Sequence, residues 1–90
     1  MNCFVLLIDD EPDFTELVKS LLSFHDMVAD VCNQPSQAEP MLREKRYHLI
    51  VTDLMMPGLN GFEIIKQTRK QKPYQEIPVL ALSAKTLSQE

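Results

Sequence analysis

Long apolar runs are missing from this 90-residue chain. The longest, Cys3 to Ile8, is six residues, far short of the roughly 18 that a membrane span needs. Positive charge is scarce as well. Lys and Arg number 9 against 13 Asp and Glu, for a formal net charge of -4. Without a Lys/Arg cluster to neutralise phosphates, direct nucleic-acid binding through bulk charge is not expected. There are only two cysteines, Cys3 and Cys32. So far apart, they read as small buried hydrophobes in a reducing compartment. Residues 1–8 also lack the basic start and apolar core of a signal peptide, because Asp9, Asp10 and Glu11 follow at once. The expectation is a cytoplasmic protein. Internal repeats, low-complexity tracts and linkers are absent too, so 1–90 is read as one domain.

What is present is an alternation of short apolar runs with segments of helical period. Cys3 to Ile8 is a continuous apolar run that ends in acid. Its length and its Phe, Val and Ile content predict a buried strand. From Asp13 to Phe24, the residues Phe14, Leu17, Val18, Leu21 and Leu22 form one stripe at i, i+3, i+4, i+7 and i+8, with Pro12 suited to the helix entry. Met27 to Cys32 is a weaker strand candidate. Pro35 to Lys45 is expected to be helical, although Pro40 should remove a hydrogen bond or shift the helix start. Glu39 and Pro40 fall where an apolar face belongs, which predicts a short or bent helix. His48 to Asp53 is a second clear strand ending in acid. Pro57 to Gly61 is turn chemistry, and Asn60 is placed to cap a helix running to about Gln71. Ile77 to Ser83 reads as the last strand, and Lys85 to Glu90 could begin another helix. This βαβαβαβ order indicates an α/β fold, a parallel sheet with helices on both faces.

Three of the strands end in polar residues: Ile8-Asp9-Asp10, Thr52-Asp53 and Leu82-Ser83. Open parallel sheets place their sites at the carboxyl ends of strands, where strand order reverses. With the first, third and fourth strands side by side, Asp9, Asp10, Asp53 and Ser83 converge. Three crowded carboxylates do not ionise comfortably without a cation. A hard divalent ion such as Mg²⁺ suits them, since it takes one or two carboxylates plus waters and leaves room for a phosphate oxygen. Asp at a strand end often forms a turn or a cap, and Asp10 or Glu11, taken alone, reads more simply as the start of the first helix. The coincidence at three strand ends does not. His25 and His48 are solitary, away from the acids, and read as structural or solvent-facing.

The blocks Ile8-Asp9-Asp10-Glu11-Pro12, Val51-Thr52-Asp53-Leu54-Met55-Met56-Pro57-Gly58-Leu59-Asn60-Gly61 and Pro78-Val79-Leu80-Ala81-Leu82-Ser83-Ala84 resemble the receiver domain of bacterial two-component response regulators. The resemblance covers the whole chain. It implies a doubly wound, flavodoxin-like sheet of strand order 2-1-3-4. It implies Asp53 as phosphoacceptor toward a phosphohistidine on a partner sensor histidine kinase or phosphotransfer protein. It further implies Mg²⁺ held by Asp10, Asp53 and the backbone carbonyl of Met55, with Asp9 acting mostly through water. Ser83 would hydrogen-bond the phosphoryl oxygens and pull its loop inward, switching an interaction surface. Met55 and Lys85 would line the phosphate's exit route. Such a domain is not expected to turn over a substrate beyond its own phosphoryl group.

Relative to the family, the chain stops after the fourth strand. Helix, strand and helix amounting to roughly 30 residues are not in it, nor is the lysine of the fifth strand. Lys85 follows Ser83 too closely to replace it. The fourth strand is then expected to be an apolar edge, open to pairing with a second copy. Two other functions compete with the phosphorylated receiver. One is a receiver-like binding module that needs no phosphorylation. The other is a phosphatase with an aspartyl-phosphate intermediate, which would need a second acid two residues after Asp53, where Met55 stands.

Overall fold

A computed structural model describes residues 3–54 and 61–82. The element order is β1 (Cys3–Ile8), α1 (Pro12–Ser23), β2 (Met27–Cys32), a 3-10 turn (Pro35–Gln37), α2 (Ala38–Glu44), β3 (Leu49–Asp53), α3 (Gly61–Arg69), a second 3-10 turn (Lys72–Tyr74) and β4 (Val79–Leu82). All strand pairs are parallel, in the order β2-β1-β3-β4. The α/β reading and its strand order hold.

Both sheet faces carry apolar residues, as two separate clusters. Leu6, Ile8 and Ile50 pack with Ala38, Leu42 and Ile64 on the α2–α3 side. Val5, Leu7, Ala29 and Val51 pack with Val18 and Leu22 of α1 on the other. This two-sided burial explains why β1 reads as an unbroken apolar run instead of an alternating one.

Some boundaries differ from those expected. Helix α1 starts at Pro12, whose ring fixes a helical φ where an N–H has no partner to lose. Its stripe is only partly covered: Phe14, Val18 and Leu22 are half-buried, while Leu17 is 58% and Leu21 54% exposed. Helix α1 packs mainly over β2. On the face shared with Val51, Leu80 of the edge strand β4 is 53% exposed. The segment from Pro35 is not one helix. It opens as a 3-10 turn, and α2 begins only at Ala38. Pro40 is then the third residue of α2, a position whose N–H has no partner within the helix, so it disrupts nothing. The last strand begins two residues later than expected, at Val79. Pro78 cannot donate to a ladder and stands just before it, accepting from the Ile50 N–H at 3.2 Å. Asn60 as a helix cap and the helix expected from Lys85 lie outside the described residues.

Candidate metal centre at the strand ends

The register of β1 and β3 pairs Ile8 with Thr52. Asp9 therefore leaves its strand beside the end that carries Asp53. Oxygen atoms of Asp9, Asp10 and Asp53 all lie within 4.8 Å of one another. Asp9 and Asp53 are buried and Asp10 is half-buried. A carboxylate carries a solvation cost when buried and a repulsion cost beside its like. Both costs fall when a cation sits among them. Three convergent carboxylates form an all-oxygen donor set, which fits a hard divalent cation and not a soft thiophilic one.

The chain holds Asp9 from several sides. The Asp9 N–H donates to the Cys32 carbonyl at 3.0 Å. The Asp9 carboxylate accepts from the Glu11 N–H at 2.9 Å. The Asp9 carbonyl accepts from Asn33 Nδ2 at 2.8 Å. On the other strand, the Leu54 N–H donates to the Leu82 carbonyl at 3.0 Å, tying the exit of β3 to the end of β4. The Gly61 N–H donates to the Leu54 carbonyl at 3.2 Å. A Cβ on Gly61 would collide with the Asp53 carbonyl oxygen and lie 2.8 Å from Leu54 Cα. The start of α3 can press onto the backbone of Asp53 only because residue 61 is glycine. A small, mostly apolar cavity beside Asp9 is lined by Leu7, Phe14, Thr15, Val18, Val51 and Leu82.

Of the residues singled out from sequence, the structure brings together Asp9, Asp10 and Asp53. Met55, Ser83 and Lys85 lie outside the described residues. His48, expected to open the strand, stands just before β3, at the end away from Asp53. Its Nδ1 accepts from the Phe4 N–H at 3.0 Å, and its ring stacks on Phe4 with centroids 5.8 Å apart, a structural role. Asn33 was not among the candidates. Its only sequence signal is its place directly after an apolar strand, where asparagine reads as a turn residue.

A family model described as the response regulator receiver domain matches residues 5–90. The chain belongs to this family. The receiver is 37% identical over 81 residues to a transcriptional regulatory protein, the CpxR homolog of Haemophilus influenzae, covering 90% of this chain and 34% of that one. It thus spans about a third of that relative's length. The chemotaxis response regulator CheY4 of Vibrio cholerae superposes with a TM-score of 0.86 at 26% identity, over 90% of this chain and 68% of that one. The receiver domain of a sensor histidine kinase from Pseudomonas aeruginosa shares the fold, with a TM-score of 0.86 at 24% identity, over 97% of this chain and 71% of that one. Its structure holds a magnesium ion coordinated in the active-site cleft. Among the described residues of this receiver, no helix is long and apolar enough to cross a membrane.

Proposed function

We propose that this receiver accepts a phosphoryl group on Asp53 from a phosphohistidine on a sensor histidine kinase or phosphotransfer protein, and that the modified domain switches a protein-interaction surface. The observation that carries the reading is the meeting of Asp9, Asp10 and Asp53 within 4.8 Å at the carboxyl ends of β1 and β3. Asp10 and Asp53 would hold Mg²⁺ directly, with the Met55 carbonyl, and Asp9 through water. Bound there, the ion supplies neutralisation of the charge on the transferring group.

The Asp53 carboxylate oxygen attacks phosphorus. The P–N bond to the donor imidazole breaks, the imidazole keeps the electron pair and takes up a proton, and an acyl phosphate remains on Asp53. Ser83 would donate a hydrogen bond to the new phosphoryl oxygens. Such a domain carries its own phosphoryl group and turns over no other substrate.

Intact-mass analysis tests this. With a small phosphodonor and Mg²⁺, the wild type should gain one phosphoryl unit, and Asp53→Asn should gain none. An adduct that forms without Mg²⁺, or that survives the substitution, overturns the reading. Partner affinity that ignores the phosphodonor would favour a binding module instead.

A further inference from the structure

We propose that Asn33 is a positioning residue for the cation site, acting through the backbone between Asp9 and Asp10 and through Thr15. The inference rests on the reading of the three carboxylates as a Mg²⁺ site and goes beyond it, because Asn33 follows another strand and supplies no carboxylate to the cluster.

Asn33 directly follows β2, one strand over from Asp9. Its amide nitrogen has two hydrogens, and both are engaged. One points to the Asp9 carbonyl at 2.8 Å, the other to Thr15 Oγ1 at 3.1 Å. Thr15 is 1% exposed. Its own hydroxyl proton faces the Pro12 carbonyl at 3.0 Å, with the Glu11 carbonyl at 3.4 Å. Thr15 Oγ1 is therefore an acceptor toward Asn33 and a donor toward the first turn of α1. A single amide thus links the end of β2, the loop after β1 and the start of α1.

The link falls where ligand geometry is set. The Asp9 carbonyl and the Asp10 N–H belong to one planar peptide. The Asp9 N–H is already held by the Cys32 carbonyl. Asn33 fixes the other side of the residue and with it the plane of the Asp9–Asp10 peptide. That plane sets the direction in which the Asp10 side chain leaves the backbone. The Asp9 carboxylate is held separately by the Glu11 N–H. Asn33 is neutral, so its effect on the cation is one of geometry and not of charge. Outer partners of this kind typically change metal affinity by about 10-fold to 100-fold when removed.

The test is Mg²⁺ binding to the unphosphorylated protein by isothermal titration calorimetry, alongside Tm measured without Mg²⁺. Asn33→Ala should raise the Kd for Mg²⁺ by about 10-fold. Thr15→Val, which keeps the shape but removes the acceptor, should raise it by a smaller factor. Thr15→Ser, which keeps the hydroxyl, should restore the wild-type Kd. A lowered Tm with a Kd within twofold of wild type would mean a structural role alone and would overturn the proposal. If Asn33→Ala does not fold, the Thr15→Val and Thr15→Ser pair decides in the same way. Asp10→Asn separates the two levels. A wild type that binds no Mg²⁺ sinks the site itself. A wild type that binds, an Asp10→Asn variant that does not, and an Asn33→Ala variant indistinguishable from wild type sink only the role of Asn33.

Discussion

At the amino end of the sheet, the polar groups answer one another. Tyr74 is buried, and its hydroxyl accepts from the Tyr47 N–H at 3.1 Å and reaches the carbonyls of Lys45 at 2.6 Å and Leu42 at 3.0 Å. Arg69 donates to the carbonyls of Tyr74 and Ile77, both at 2.8 Å. Next to them, toward the middle of the edge strand β2, Asp30 accepts from Tyr47 at 2.7 Å and from Lys45 at 3.0 Å. At the carboxyl end, three carboxylates of one sign gather within 4.8 Å. The first arrangement pairs donors with acceptors inside the chain and contributes to folding. The second gathers like charge that a bound cation would offset, which is the binding role proposed for it. Substitutions at the two ends should therefore differ in sign as well as in size.

The largest effect is expected at the amino end. Tyr74→Ala removes a buried ring and leaves the Tyr47 N–H without its acceptor, and should cost about 3–5 kcal/mol. That is a large part of the roughly 5–15 kcal/mol that holds a small domain folded. Urea unfolding measures it, and a loss below about 1 kcal/mol would mean the amino end is not the stabilising one. Gly61→Ala should follow, at about 1–3 kcal/mol, because the new methyl meets main-chain atoms of Asp53 and Leu54 that cannot rotate away. It sharpens the comparison, since it should also weaken Mg²⁺ binding, which Tyr74→Phe should leave unchanged.

Asp10→Asn should reverse the sign. Without Mg²⁺, removal of one of three crowded charges should stabilise the fold by about 1 kcal/mol. In a domain this small that is a rise in Tm of roughly 4–8 °C. With Mg²⁺ the wild type should gain stability by mass action and the variant should not. A variant less stable than wild type in Mg²⁺-free buffer would show that the acids are already satisfied by the fold, and the contrast between the two ends would fail.

The legibility of the two ends from sequence also differed, for a physical reason. The acids are readable because they close apolar runs, at Ile8-Asp9-Asp10 and Ile50-Val51-Thr52-Asp53, and strand polarity then places them at one end of the sheet. Their partner Asn33 is not readable in that way. It acts through a contact 24 residues away in sequence, and nothing local separates it from a turn asparagine. Tyr74 is hidden for a similar reason. It sits in a 3-10 turn, in no periodic segment, yet it is among the most buried side chains. The boundary of α2 depended on where Pro40 fell relative to the first turn, which periodicity does not fix. The stripe of α1 was legible as apolar. How much of it would be covered depended on the elements beside it.

The smallest effect is the pH dependence of the Asp30 cluster. Burial raises the Asp30 pKa, but the Tyr47 hydroxyl bond and the Lys45 ammonium outweigh it, and the net shift is downward. The carboxylate is thus favoured more in the folded chain than in the unfolded one. A depressed folded pKa contributes stability above the unfolded carboxylate range near pH ~4. That contribution is lost as pH falls through the folded value. Because the Asp30 and Lys45 side chains are 35% and 41% exposed, solvent screening limits it to about 1 kcal/mol or less. Asp30→Asn should accordingly be slightly less stable than wild type at pH 7, and the gap should close as the solution is acidified below about pH 4. Tyr47 moves the opposite way. Burial and the neighbouring Asp30 raise its pKa, so the hydroxyl stays protonated and able to donate throughout this window. A gap between Asp30→Asn and wild type that is unchanged from pH 7 down into the acid range would mean that the Asp30 charge contributes nothing. The amino end would then be held by the tyrosines alone.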